Sequence, residues 1–79
     1  MTTKNKLLKK FLENPGGLKF RQIERLLKWL GFWLAGVRGS HRKYRHGRLK
    51  RDLTVPVHNR ECKIGYKRKV ARIIKNKIL

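Results

Sequence analysis

Leu7, Leu8, Phe11 and Leu12 fall on one side of a helical wheel while Lys4, Lys6, Lys9 and Lys10 lie mostly away from it. That arrangement predicts a short amphipathic helix at the start of the chain. Asn14-Pro15-Gly16-Gly17 ends it, because proline disfavours a helical conformation in the residue before it and glycine supplies turn geometry. Helical spacing resumes at Phe20, Ile23, Leu26, Leu27 and Leu30, predicting a second helix capped by Gly31. Phe32 to Val37 is a mostly bulky apolar run that reads as a strand, Gly39-Ser40 as a turn, and His41 to His46 as a returning strand. Leu53, Val55 and Val57 alternate with period two, predicting a third strand in which Pro56 marks an edge or an end. Tyr66, Val70, Ile73, Ile74 and Ile78 then line one side of a closing helix whose other side is basic.

The expected order is helix, helix, strand, strand, strand, helix, an α+β arrangement with helices on one face of a three-stranded antiparallel sheet. Seventy-nine residues allow one modest core, so residues 1–79 read as a single domain, with 1–17 a helical extension and 18–79 the body. No internal repeat breaks this plan.

Charge narrows the function. Lys and Arg number 23 against four Asp and Glu, a formal net charge of +19, so the folded chain repels copies of itself and attracts polyanions. Nucleic acid, anionic lipid and an acidic protein are the natural partners. Cys62 is the single cysteine, which leaves no intramolecular disulfide and no multi-cysteine zinc site and fits a reducing cytoplasm. Trp29 to Val37, the longest stretch without a charged side chain, is nine residues and too short to span a bilayer. No membrane partner is expected.

The four acids, Glu13, Glu24, Asp52 and Glu61, are scattered singly, which argues against two-metal and paired-carboxylate chemistry. No Walker-type glycine loop is present, and neither a metal nor a small-molecule cofactor is expected. The densest signal runs from Arg38 to Arg51: Arg38, Arg42, Lys43, Arg45, Arg48, Lys50 and Arg51 surround His41, Tyr44 and His46 without one acid. Such a stretch is either a phosphate-binding surface or a solvated charged hairpin. Strand alternation would project His41, Lys43 and Arg45 together and turn Tyr44 to the other side.

Gly31-Phe32, Gly39-Ser40-His41, Tyr44-Arg45-His46 and Thr54-Val55-Pro56-Val57-His58 resemble, in order and spacing, the HicA family of bacterial toxins. Asn14-Pro15 followed by Phe20 and the helix to Leu30 is similar to a subgroup with an extra leading helix. The resemblance implies a double-stranded-RNA-binding-domain-like fold, cleavage of messenger RNA, His41 as the catalytic residue, and neutralisation by a HicB-type antitoxin, here expected to be acidic. The chain departs from many family members at Gly65-Tyr66-Lys67-Arg68-Lys69, where a small residue and leucine commonly follow the glycine.

A neutral imidazole can take the proton from a ribose 2′-hydroxyl while arginines and lysines stabilise the charged transition state, so the chemistry requires no metal in principle. Around His41, Ser40 is an auxiliary candidate as well as a turn residue, and His58 is either the acid for the leaving oxygen or a strand-end residue facing water. Arg38, Arg42, Lys43, Arg45 and Arg48 are candidate RNA contacts. Tyr44 either stacks on a base or packs in the sheet. Trp29 and Trp33 read as core anchors or part of a protein interface, Cys62 as a half-buried filler, and His46 as part of the hairpin turn. Lys67, Lys69, Lys75 and Lys77 with Arg68 and Arg72 either track phosphates or solvate the outer face of the last helix. The rival functions are a non-catalytic RNA-binding module of the same fold and, less favoured, a DNA reader or a membrane-active basic peptide.

Overall fold

A computed structural model describes residues 3–79; Met1 and Thr2, where the expected extension begins, lie outside the described residues. The elements are α1 (Thr3–Glu13), a short 3-10 turn (Pro15–Gly17), α2 (Phe20–Trp29), β1 (Trp33–Arg38), β2 (His41–Arg45), β3 (Leu53–Pro56) and α3 (Ile64–Ile73), which runs on through a wider π turn over Ile74–Ile78. The expected α+β class and element order hold, and the arrangement is compatible with a double-stranded-RNA-binding-domain-like fold.

The sheet is antiparallel in the order β1-β2-β3. Its inner face is the one under the helices. Tyr44, Leu53 and Val55 are buried there with Ile23, Leu26 and Leu27 of α2 and with Val70 and Ile74 toward the end of the chain. Phe11 of α1 is fully buried in the same core, and Leu7, Leu8 and Leu12 pack against it, so the leading helix is a working part of the fold. The chain turns from α2 into β1 through a Schellman cap: Phe32 N–H donates to the Leu27 carbonyl at 2.9 Å, and Gly31 N–H to that of Lys28 at 3.2 Å. Gly31 has φ +95°, a conformation glycine adopts without the Cβ clash that other residues meet.

Two sequence expectations are corrected here. Trp29 and Trp33 are not core anchors: they are 39% and 50% exposed, and Leu34 and Val37 are exposed too. β1 is an edge strand, and the apolar seam is filled from β2 and β3 with Phe32, so most of the apolar run after Gly31 lies beyond helix cover. Lys67 is not on the outer face of the last helix. It is buried, and its Nζ donates to the Leu18 carbonyl at 2.7 Å and lies 3.0 Å from Glu61 Oε1. Its position, three and seven residues before Val70 and Ile74, puts it on the stripe that faces the core.

Glu61 completes this tie. Its carboxylate accepts the N–H of Phe20, at the start of α2, at 3.1 Å and that of Cys62 at 3.0 Å. Partial burial pushes the Glu61 carboxyl up, but the Cys62 N–H, the Lys67 ammonium and the Phe20 N–H outweigh it and hold the group below the usual carboxylate range. The turn before α2 is thereby pinned to a stretch some forty residues later, made of the turn before α3 and α3 itself.

Replacing Lys67 by Met strands the Leu18 carbonyl and removes the partner of Glu61, and should lower unfolding free energy by about 2–4 kcal/mol in urea titrations. A loss below about 0.5 kcal/mol, the level of an ordinary surface substitution, would show that the ammonium is dispensable. Because the Glu61 carboxyl is held low in the folded chain, its contribution is complete above its unfolded value of about 4.3 and is lost as pH falls through the lower folded value. Urea midpoints measured across that range should fall less steeply with acid in Glu61→Gln than in the parent, and equal slopes would remove this carboxylate from the acid response.

Candidate active site

β1 and β2 are joined by the tight Gly39-Ser40 turn, in which Gly39 has φ +59°. His41 is therefore the first residue of β2, at the end of the sheet, opposite Arg38 on β1 and Pro56 on β3. The Ser40 carbonyl accepts the N–H of Val57 at 2.7 Å, so the pairing continues one step past the third strand.

His58 arrives at the same end by a second device. His58 and Glu61 exchange both backbone hydrogen bonds, at 2.8 and 2.9 Å, around Asn59 and Arg60 with φ 51° and 64°. Two consecutive left-handed residues are the mark of a tight hairpin turn matched to strand twist. The chain then passes through Cys62 and Lys63 into α3, whose first turn carries Tyr66.

These segments enclose an open cavity of about 480 Å³. Ser40, His41 and His58 line it, with Pro56 on the strand side and Glu61, Cys62, Lys63 and Tyr66 on the helix side. The first three are the catalytic and auxiliary candidates, and the fold brings them to one place. Two imidazoles, a hydroxyl, a phenol and an ammonium around one cavity can hold a phosphodiester and move protons to and from its oxygens. Cys62 is buried and burial pushes its thiol up, away from the thiolate form that a nucleophile needs. Among the described residues, no group of three or more His, Cys, Asp or Glu side chains is placed to hold a metal ion.

The candidate RNA contacts divide by face. His41, Lys43 and Arg45 are exposed on the side of the sheet away from the helices, as strand alternation predicts, and Arg38 joins them from β1. Arg45 is also paired with Asp52 at 2.9 Å, a hydrogen bond that holds the Asp52 carboxyl below its usual range.

Tyr44 is corrected: it is only 1% exposed, so its ring is out of reach of any base. Its hydroxyl donates to Glu24 of α2, and burial, followed by that hydrogen bond, pushes the phenol well up. Arg42 lies on the same inner side, donating to Glu24 at 2.9 Å with its guanidinium over the Phe20 ring, so it serves packing first.

Arg48, the remaining candidate RNA contact, lies apart from the cavity. It donates to the Ile78 carbonyl at 3.0 Å and lines a separate basic groove with Lys50, Arg51, Lys69 and Lys77. His46 has a structural place, its Nε2 2.8 Å from the Leu30 carbonyl and its Nδ1 accepting the Arg48 N–H, with its ring against Phe32.

Glu61, Lys63 and Tyr66 were missed as cavity residues in the sequence. No spacing rule joins a strand end to a helix start across a turn, although Tyr66 and Lys67 occupy the atypical segment after Gly65.

No helix among the described residues is long and apolar enough to cross a membrane. No curated protein and no solved structure matches the chain. A family model does: the one described as the HicA toxin of bacterial toxin-antitoxin matches residues 20–75, everything from the start of α2 into the last turn of the closing helix. The Gly-Ser-His turn, the sheet and the cavity all lie inside that match, and the chain belongs to the HicA family, the toxin side of bacterial toxin–antitoxin pairs.

Proposed function

We propose that this toxin is a metal-independent endoribonuclease that cleaves messenger RNA in the cytoplasm, with His41 as general base and His58 as general acid. The observation that supports this reading above others is the convergence of two separate segments, Gly39-Ser40-His41 and Val57-His58, on one cavity.

In this scheme neutral His41 takes the proton from a ribose 2′-hydroxyl. The resulting 2′-oxygen bonds to the adjacent phosphorus, and the bond from phosphorus to the 5′-oxygen breaks. Protonated His58 gives its proton to that leaving oxygen. The products are a 2′,3′-cyclic phosphate and a 5′-hydroxyl. Lys63, across the cavity, and Arg38, opposite His41 in the sheet, supply positive charge where the phosphorane gains it. Ser40 orients the phosphate, and the Tyr66 hydroxyl is a further donor at the rim. Lys43 and Arg45 track the strand leading to the cavity.

The antitoxin counterpart in this reading is an acidic HicB-type protein, since a +19 chain presents a polyanion-binding surface and inhibition requires the cavity to be covered.

With a defined single-stranded RNA in EDTA, the parent should yield fragments ending in cyclic phosphate. His41→Ala should reduce the rate by at least about a hundredfold while leaving RNA affinity within a few fold, and His58→Ala should slow cleavage by about 10²–10⁴-fold. Undiminished cleavage by His41→Ala would sink the assignment, and RNA bound but left intact by the parent would indicate a non-catalytic binder of the same fold. In the complex with its antitoxin, the imidazole proton signals of His41 and His58 should shift in NMR spectra and cleavage should stop. Inhibition without any change at either ring would place the blocking contact elsewhere.

A further inference from the structure

The open face of the sheet carries more than charge. Directly opposite residues of an antiparallel pair share a face, and β1 and β2 pair Arg38 with His41, Gly36 with Lys43 and Trp33 with Arg45. A register shift between Leu34 and Gly36 absorbs Ala35, so the alternation is preserved on both sides of it. Trp33 is half exposed and pairs with Arg45, whose neighbour Tyr44 is buried under the helices, which sets the tryptophan on the open side. That face therefore runs from His41 and Arg38 at one end, past Lys43, to Trp33 and Arg45 at the other. Between the ends, Gly36 leaves a bare strip in which even an added Cβ would meet nothing within 4 Å.

The indole lies on the helix-free side of the sheet, opposite Arg45, on the same face as His41, which lines the cavity. Four residues of strand separate His41 from Arg45, about 13 Å, a span of a few nucleotides of extended single strand. Aromatic faces stack on unpaired bases whatever their sequence, while flanking lysines and arginines hold the phosphates. We propose that Trp33 is the stacking platform for an unpaired base of the RNA whose scissile phosphate lies at His41. Arg38, Lys43 and Arg45 guide the intervening backbone across Gly36. The inference rests on the reading of the His41 cavity as an RNA site and adds that the substrate must be single-stranded there, since both faces of a base inside a duplex are covered by its stacked neighbours.

The test uses the full chain carrying His41→Ala, so that RNA survives, and a short single-stranded RNA together with versions bearing one abasic position at a time. One abasic position a few nucleotides from the phosphate that the parent cleaves should weaken binding about tenfold, with neighbouring positions tolerated. Adding Trp33→Ala should weaken binding of the intact RNA by a similar factor and erase the dependence on that base, while Trp33→Phe should keep most of both. Undiminished affinity and an unchanged abasic profile in Trp33→Ala would overturn the proposal. So would a loss of antitoxin affinity alone in that variant, which would reassign Trp33 to a protein interface, or the absence of measurable RNA binding. The readout is binding and not turnover, so a parent that fails to cleave RNA defeats the His41 mechanism separately while the abasic profile still decides Trp33.

Discussion

The geometry of the cavity depends on where one ammonium group is held. Lys67 projects from α3 into the core side of the molecule and meets the Leu18 carbonyl and the Glu61 carboxylate, which in turn accepts the N–H at the start of α2. A buried charge is tolerated only when its hydrogen-bonding capacity is met. Here the partners come from two stretches far apart in sequence, Leu18 to Phe20 and Glu61 to Lys67. The turn that carries His58 is thus fixed to both the helix that follows it and the helix that precedes the sheet. A chain with 23 cations and four acids has few carboxylates with which to do this, and among the described residues Glu24 pairs with Arg42, Asp52 with Arg45 at the surface and Glu61 with Lys67.

Strand β2 shows how a small fold separates support from chemistry. Its period of two sends Tyr44 and Arg42 toward the helices, where both meet Glu24 of α2, and leaves His41, Lys43 and Arg45 on the open face. Every second residue of one basic segment is therefore structural. The bland reading of that segment, a solvated hairpin, and the functional one are each right for one side of the strand. The Arg42 and Tyr44 contacts with α2 also fix the tilt of the strand that presents His41.

Much of the architecture was legible from periodicity alone, because helical and strand spacings in this chain are sharply different and glycine or proline punctuates most of the joins. The misreadings share a cause: periodicity reports which side of an element is apolar but not whether another element covers it. Trp33 reads as a core anchor or an interface residue from its apolar neighbours, yet β1 is an edge strand on which Trp33, Leu34 and Val37 are all exposed. Lys67 reads by residue type as a phosphate contact or part of a solvated outer face, although its spacing to Val70 and Ile74 places it on the packed stripe. At the site, His41, Ser40 and His58 were named from motif and resemblance, whereas Lys63 and Tyr66 enter only through the tertiary closure of β3 against α3.

That closure is made largely of backbone. Ser40 and Val57 share one hydrogen bond, His58 and Glu61 exchange two, and the left-handed pair Asn59 and Arg60 completes the turn. Arg60 sits at a position where glycine would be unstrained, so the turn is held by its surroundings more than by its own sequence. Main-chain ties position His41 and His58 without using up their imidazoles, which remain at the cavity for a ligand. His46 shows the contrast: its ring accepts one backbone N–H and meets a backbone carbonyl, and it is fully engaged in the fold. The difference between a histidine that supports the structure and one available for chemistry lies here in who satisfies the ring, and the sequence, which spaces His41 and His46 five residues apart in the same basic segment, does not carry that information by itself.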